Sequence, residues 1–132
     1  MSFQRFVPAA ALLAAVFTAA SALAADDGPT LFAENCAACH QPKGQGVPGA
    51  FPPLAGNKVV VGDPKASAYV VTHGRGGMPN FSDDLDDRQI ATILSYVRTS
   101  WGNTAGALDP AAVAAERGAA SPPNQEAGLP FH

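Results

Sequence analysis

Two thiols and an imidazole stand together at Cys36-Ala37-Ala38-Cys39-His40, and these are the only two cysteines in the 132-residue chain. The spacing C-x-x-C-H suits covalent attachment of a c-type haem. Each thiol adds across a porphyrin vinyl group, and the adjacent histidine reaches the iron as proximal ligand. With two intervening residues, helical backbone carries the sulfurs to neighbouring vinyls and sets the next side chain under the metal. Other chemistries fit less well. A thioredoxin-like redox pair needs strand-helix-strand patterning that is not seen here. Zinc needs four ligands, and Cys39 and His40 are too close to be independent corners of a tetrahedron. A disulfide between these cysteines would constrain little of the unfolded chain.

A second iron ligand is offered by Met78, the only methionine besides Met1. It sits in Gly74-Arg75-Gly76-Gly77-Met78-Pro79-Asn80-Phe81, where glycines allow close approach to a porphyrin edge and Pro79 stiffens the backbone immediately after the methionine. A thioether favours ferrous iron, so His/Met ligation raises the reduction potential over bis-histidine ligation. His73 is the competing ligand, although its place on the preceding helix suits a surface or propionate role better; Arg75 reads as a solvated charge. An axial histidine usually donates its second ring N–H to a fixed acceptor. The carbonyl of Pro52, in Phe51-Pro52-Pro53-Leu54, is the expected acceptor. Leu54 is expected to press on the porphyrin face, and Tyr69 to line the pocket with its hydroxyl or to serve as plain core.

The elements that must position these groups read as short helices. The segment from Thr30 to Ala38 predicts a helix delivering both cysteines, started by Thr30 or an aspartate ahead of it, with Phe32 facing a later helix. Residues 41–62 are rich in Gly and Pro and predict a long functional loop rather than a linker. Val59-Val60-Val61 reads as extended. Asp63-Pro64 opens a helix to His73, closed by Gly74. Asp86 and Gln89 form a capping-box pattern for the most periodic helix, about 87–101, with Ile90, Ile93, Leu94, Val97 and Trp101 on one stripe and Tyr96 or Val97 set against Phe32. Gly102-Asn103 stops it. Asp109-Pro110 opens a last helix to Arg117, before Gly118.

Address and charge narrow the class of protein. Arg5, an apolar run over 6–25 and the small-residue end Ala22-Leu23-Ala24 read as a secretory signal peptide over 1–24, against the alternative of a retained anchor. The expected haem-carrying domain covers 25–118, and 119–132 is expected to be disordered or draped on the surface. Beyond residue 24 the chain has eleven acidic residues against seven basic ones. The basic ones are scattered, which excludes a nucleic-acid stripe. By net charge, steering would favour partners with a positive docking face.

Cys36-Ala-Ala-Cys-His40, Phe51-Pro-Pro-Leu-Ala-Gly56, Gly77-Met78-Pro79 and the capped helix with Tyr96 together resemble class I c-type cytochromes over roughly residues 28–102. The run Leu94 to Asn103 is similar to cytochrome subunits of bacterial membrane-associated alcohol and sugar-acid dehydrogenases and to haem domains fused to some reductases. The resemblance implies an all-α fold, three to five short helices wrapped around one covalently bound haem c, with His40 and Met78 as ligands and electron transfer as the activity. Such dehydrogenase subunits often carry three haem domains, whereas this chain has one. The expected protein is a periplasmic one-electron carrier without catalytic residues of its own. Its partners are redox proteins, and it meets a membrane only through a partner or an uncleaved signal segment. Two other readings remain: a fixed subunit of a larger dehydrogenase or reductase, and a haem enzyme or gas sensor with an open sixth site. The last lacks a distal acid-base pair in the sequence.

Overall fold

The computed structural model describes residues 26–120, so the signal peptide expected over 1–24 and the tail beyond 120 lie outside the described residues. Within them run six helices: α1 Gly28–Asn35, α2 Ala37–His40, α3 Lys58–Val61, α4 Pro64–His73, α5 Asp87–Thr99 and α6 Pro110–Arg117. Among the described residues there is no strand, only two isolated antiparallel bridges, Val47 with Phe51 and Arg75 with Met78.

Side-chain caps start five of the six helices. Asp27 accepts from Thr30 N at 2.8 Å, Asp63 from Lys65 N at 2.9 Å and Asp109 from Ala111 N at 2.7 Å, each ahead of a proline in the first turn. These prolines have no N–H that would go unsatisfied and carry a φ already suited to a helix. At α5 the box closes in both directions, Gln89 N to Asp86 and Asp86 N to Gln89, each bond satisfying a donor that the helix itself cannot.

Six helices are one more than the expected three to five, and two of them, α2 and α3, are not read from the sequence as separate helices, both for local reasons. The helix expected over 30–38 breaks at Cys36, whose φ of −123° leaves the helical region, so a separate turn, α2, carries Cys39 and His40. Val59–Val61 is not extended: Asn57 Oδ1 accepts from both Val59 N and Val60 N and nucleates a helical turn, overriding the β preference of three valines. A third difference falls at the end of α5. The helix stops at Thr99, and Trp101 turns back in a left-handed conformation, φ 55°, instead of finishing the stripe.

The core forms where α1 crosses α5. Gly28 makes the crossing close, since a Cβ there would lie 2.6 Å from Tyr96 Cβ. Phe32 is almost wholly buried, its ring 5.7 Å from that of Tyr96 and 5.1 Å from that of Trp101, both tilted. Burying a phenylalanine here contributes about 2–3 kcal/mol. Leu31, Ile90, Ile93, Leu94 and Val97 complete this centre. α6 lies against α4 and α5, seated by the fully buried Val113. Arg98, one of the scattered charges of the sequence, is buried, its guanidinium donating to the carbonyls of Val60, Gly62 and Gly106. It pins α3 to the end of α5.

Candidate haem site

His40 ends α2 and is 9 % exposed. Its Nδ1 lies 3.0 Å from the carbonyl oxygen of Pro52, which can only accept, so Nδ1 carries the proton and Nε2 is left with its lone pair. The loop reaches this position by sharp turns. Gln41, Gly44 and Gly46 all have positive φ, and a Cβ on Gly46 would collide with the Phe51 carbonyl and the Pro52 backbone. Gly44 is pressed against the Trp101 indole in the same way. These two glycines are required by close approach, because the chain threads between the indole and the Pro52 segment.

The thiols differ in setting. Cys36 is part-buried and Cys39 exposed, and neither is in a disulfide. Burial, and secondarily the neighbouring Cys39, pushes the Cys36 thiol up to about 11. Thiol-exchange cysteines have the opposite character, a depressed value and a ready thiolate. Among the described residues no group of three or more His, Cys, Asp and Glu converges on a metal position, so the zinc alternative gains no further ligand.

Beyond Pro52 the loop is held by a residue that its sequence neighbourhood marks only as a helix stop. Asn103 is buried; its Oδ1 accepts from Gly56 N at 2.8 Å, and its Nδ2 donates to Leu54 O at 3.2 Å and Val97 O at 2.8 Å. Leu54, half-buried, packs on the core from this loop. The only signal for this role of Asn103 is its type, an amide with two donors and an acceptor just past a helix end.

Met78 sits on a separate loop at the end of α4. The loop closes on itself through Arg75 N to Met78 O and Met78 N to Arg75 O, both 3.0 Å. Gly74 has φ +77°, and a Cβ there would come within 2.7 Å of the Met78 carbonyl oxygen. Tyr69 is buried in α4 with its ring stacked on His73, centroids 4.0 Å apart. Both His73 nitrogens are engaged: Nδ1 lies 3.0 Å from the Thr72 hydroxyl, and Nε2 donates to the Ala119 carbonyl at 3.0 Å. The competing histidine is thus occupied within the protein. The structure groups Cys36, Cys39, His40, Pro52 and Leu54 around one loop, and places Tyr69 and Met78 on α4 and its following loop.

The donor set fits haem c: two unpaired thiols at the attachment spacing, an imidazole whose other nitrogen is fixed, and a thioether on a preshaped loop. A site of this kind on a small helical fold defines a c-type cytochrome. A family model described as cytochrome C oxidase, cbb3-type, subunit III matches residues 23–97. The chain belongs to that family. It is 40% identical over 90 residues to the alcohol dehydrogenase (quinone) cytochrome c subunit of Gluconacetobacter polyoxogenes, a match covering 59% of this chain and 19% of the relative. It thus spans about a fifth of that relative's length. Cytochrome c-552 of Thermus thermophilus is 36% identical over 108 residues, covering 70% of this chain and 72% of the relative. The cbb3-type cytochrome c oxidase subunit CcoP of Azospirillum brasilense is 40% identical over 88 residues, covering 61% and 30%.

Proposed function

We propose that this cytochrome carries single electrons between redox proteins, holding its haem iron between His40 Nε2 and Met78 Sδ. Haem c supplies the chemistry, a one-electron change between ferric and ferrous iron. The observation that carries the reading is the bond from His40 Nδ1 to the Pro52 carbonyl. It fixes the tautomer, holds the ring against rotation, and makes Nε2 a stronger donor. Cys36 and Cys39 hold the haem covalently, Leu54 and Tyr69 give it apolar contact, and the self-closed loop presents the Met78 sulfur.

The protein is exported, on this reading, because thioether attachment belongs outside the cytoplasm and residues 1–24 have the order of a signal peptide. No helix of the described residues is long and apolar enough to cross a membrane. The docking face is better judged locally than by net charge. Residues 34–63, which contain the attachment site, balance Lys43 and Lys58 against Glu34 and Asp63 at their ends, and they expose Val47, Phe51 and Val61. The acidic excess gathers elsewhere, notably at Asp83, Asp84, Asp86 and Asp87. A partner face that is apolar and weakly charged matches this surface, with net charge setting only the longer-range steering.

The test is a redox titration of the haem-loaded protein with and without Met78→Ala. The wild type should show the methionine-to-iron charge-transfer band when ferric and bind carbon monoxide slowly when ferrous. Met78→Ala should lose the band, lower the midpoint potential and bind carbon monoxide at once. A wild type that already lacks the band and binds the gas rapidly would assign the open-site reading instead.

A further inference from the structure

The loop over 74–80 is closed on itself by the Arg75–Met78 pair of bonds, so it moves as a unit and where it holds Met78 depends on how its two roots are fixed. Both roots are tied to the end of α6. The first root is His73, whose Nε2 donates to the Ala119 carbonyl at 3.0 Å. The second is Phe81-Ser82, which returns to α4 through Phe81 N to Val71 O at 2.9 Å and Ser82 Oγ to Thr72 O at 2.6 Å. One guanidinium then closes over it: Arg117 donates to Ser82 O at 2.5 Å, to Leu85 O at 2.9 Å and, through Nε, to the Asp87 carboxylate at 2.7 Å.

α6 itself is anchored by Val113, with no exposed surface, and it lies beyond residues 23–97 that the family model matches. From this we infer that the last turn of α6 is a clasp for the methionine loop, with Arg117 and His73 as positioning residues that hold the sulfur in place. A guanidinium is suited to the role because its planar fork reaches three acceptors at once; a lysine ammonium would keep the charge on Asp87 and lose the two carbonyls. The inference rests on the reading that Met78 is an iron ligand.

The experiment uses the haem-loaded full chain and its Arg117→Ala, Arg117→Lys and His73→Phe variants, the last keeping the ring stack on Tyr69 but removing the bond to Ala119. Arg88→Ala is the control, since it breaks the exposed Arg88–Asp26 pair without touching the loop. Carbon monoxide can enter the ferrous protein only when the sulfur is displaced, so its rate reports the open fraction. Arg117→Ala should raise that rate about tenfold, the factor equivalent to 1.4 kcal/mol and to one hydrogen bond from a charged donor. Arg117→Lys and His73→Phe should move it in the same direction by less, and amide exchange over 74–82 should quicken while that of 28–35 does not. Arg88→Ala should leave both unchanged.

An Arg117→Ala rate within twofold of the wild type, or an equal rise in Arg88→Ala, overturns the clasp while leaving Met78 as the ligand. A wild type as fast as Met78→Ala overturns the ligand assignment, and the clasp with it.

Discussion

Replacing Asn103 by alanine is the sharpest probe of how the proximal loop is held. The substitution removes one acceptor and two donated bonds at a position 5% exposed. The bond to Val97 O is fully buried, and its loss leaves a carbonyl without a partner, at about 1–3 kcal/mol. The two loop bonds, to Gly56 N and Leu54 O, are part-buried and are worth about 1 kcal/mol each, less whatever water recovers. The expected loss is therefore about 2–4 kcal/mol. With a urea slope of about 2 kcal/mol per molar, the midpoint of unfolding should fall by about 1–2 M.

The change should also register at the iron. Slackening residues 54–56 frees the Pro52 carbonyl from His40 Nδ1, weakens the imidazole as a donor to ferric iron and raises the midpoint potential. Asn103→Asp sharpens the comparison: it keeps an acceptor for Gly56 N but sets an anion against two carbonyls, and should be at least as damaging. A urea midpoint for Asn103→Ala within about 0.3 M of wild type, with the potential unmoved, would refute the idea that this amide organises the loop, given the slope used above.

Two further outcomes are expected. Cys36→Ser and Cys39→Ser should each give haem with a single thioether, visible as a shifted α band in alkaline pyridine, and the double variant should release its haem to acid-acetone. Gly28→Ala should destabilise the protein by about 1–3 kcal/mol in urea unfolding despite alanine's better helix propensity, because the added carbon meets Tyr96 Cβ. Since the obstacle is Cβ itself, Tyr96→Ala should not rescue it.

Much of the scaffold was legible because it is written in local chemistry. Asp63-Pro64, Asp109-Pro110 and the Asp86/Gln89 pair each act within three residues, and the helices begin where those patterns place them. The Cys-His stretch was equally plain. What escaped depends on distant partners or on competition between neighbours. Arg98 read only as one of the scattered basic residues, because its acceptors, Val60, Gly62 and Gly106, lie on other segments. The valine run read as extended because propensity was weighed without the Asn57 cap. The role of α6 could not be seen at all, since nothing in Arg117's own surroundings in sequence points to Ser82 or Leu85 as partners.

The position of Trp101 has a practical consequence. It is the sole tryptophan, lodged against Phe32, Tyr96 and Gly44. Indole emission in a haem protein is dimmed by energy transfer, so brightening would announce separation of the first helix and the attachment loop. Loosening around the sulfur would leave it dark. The chain thus carries its own lamp beside α1 and the attachment loop, and pairing that signal with gas uptake would tell whether this region or the methionine loop gives way first.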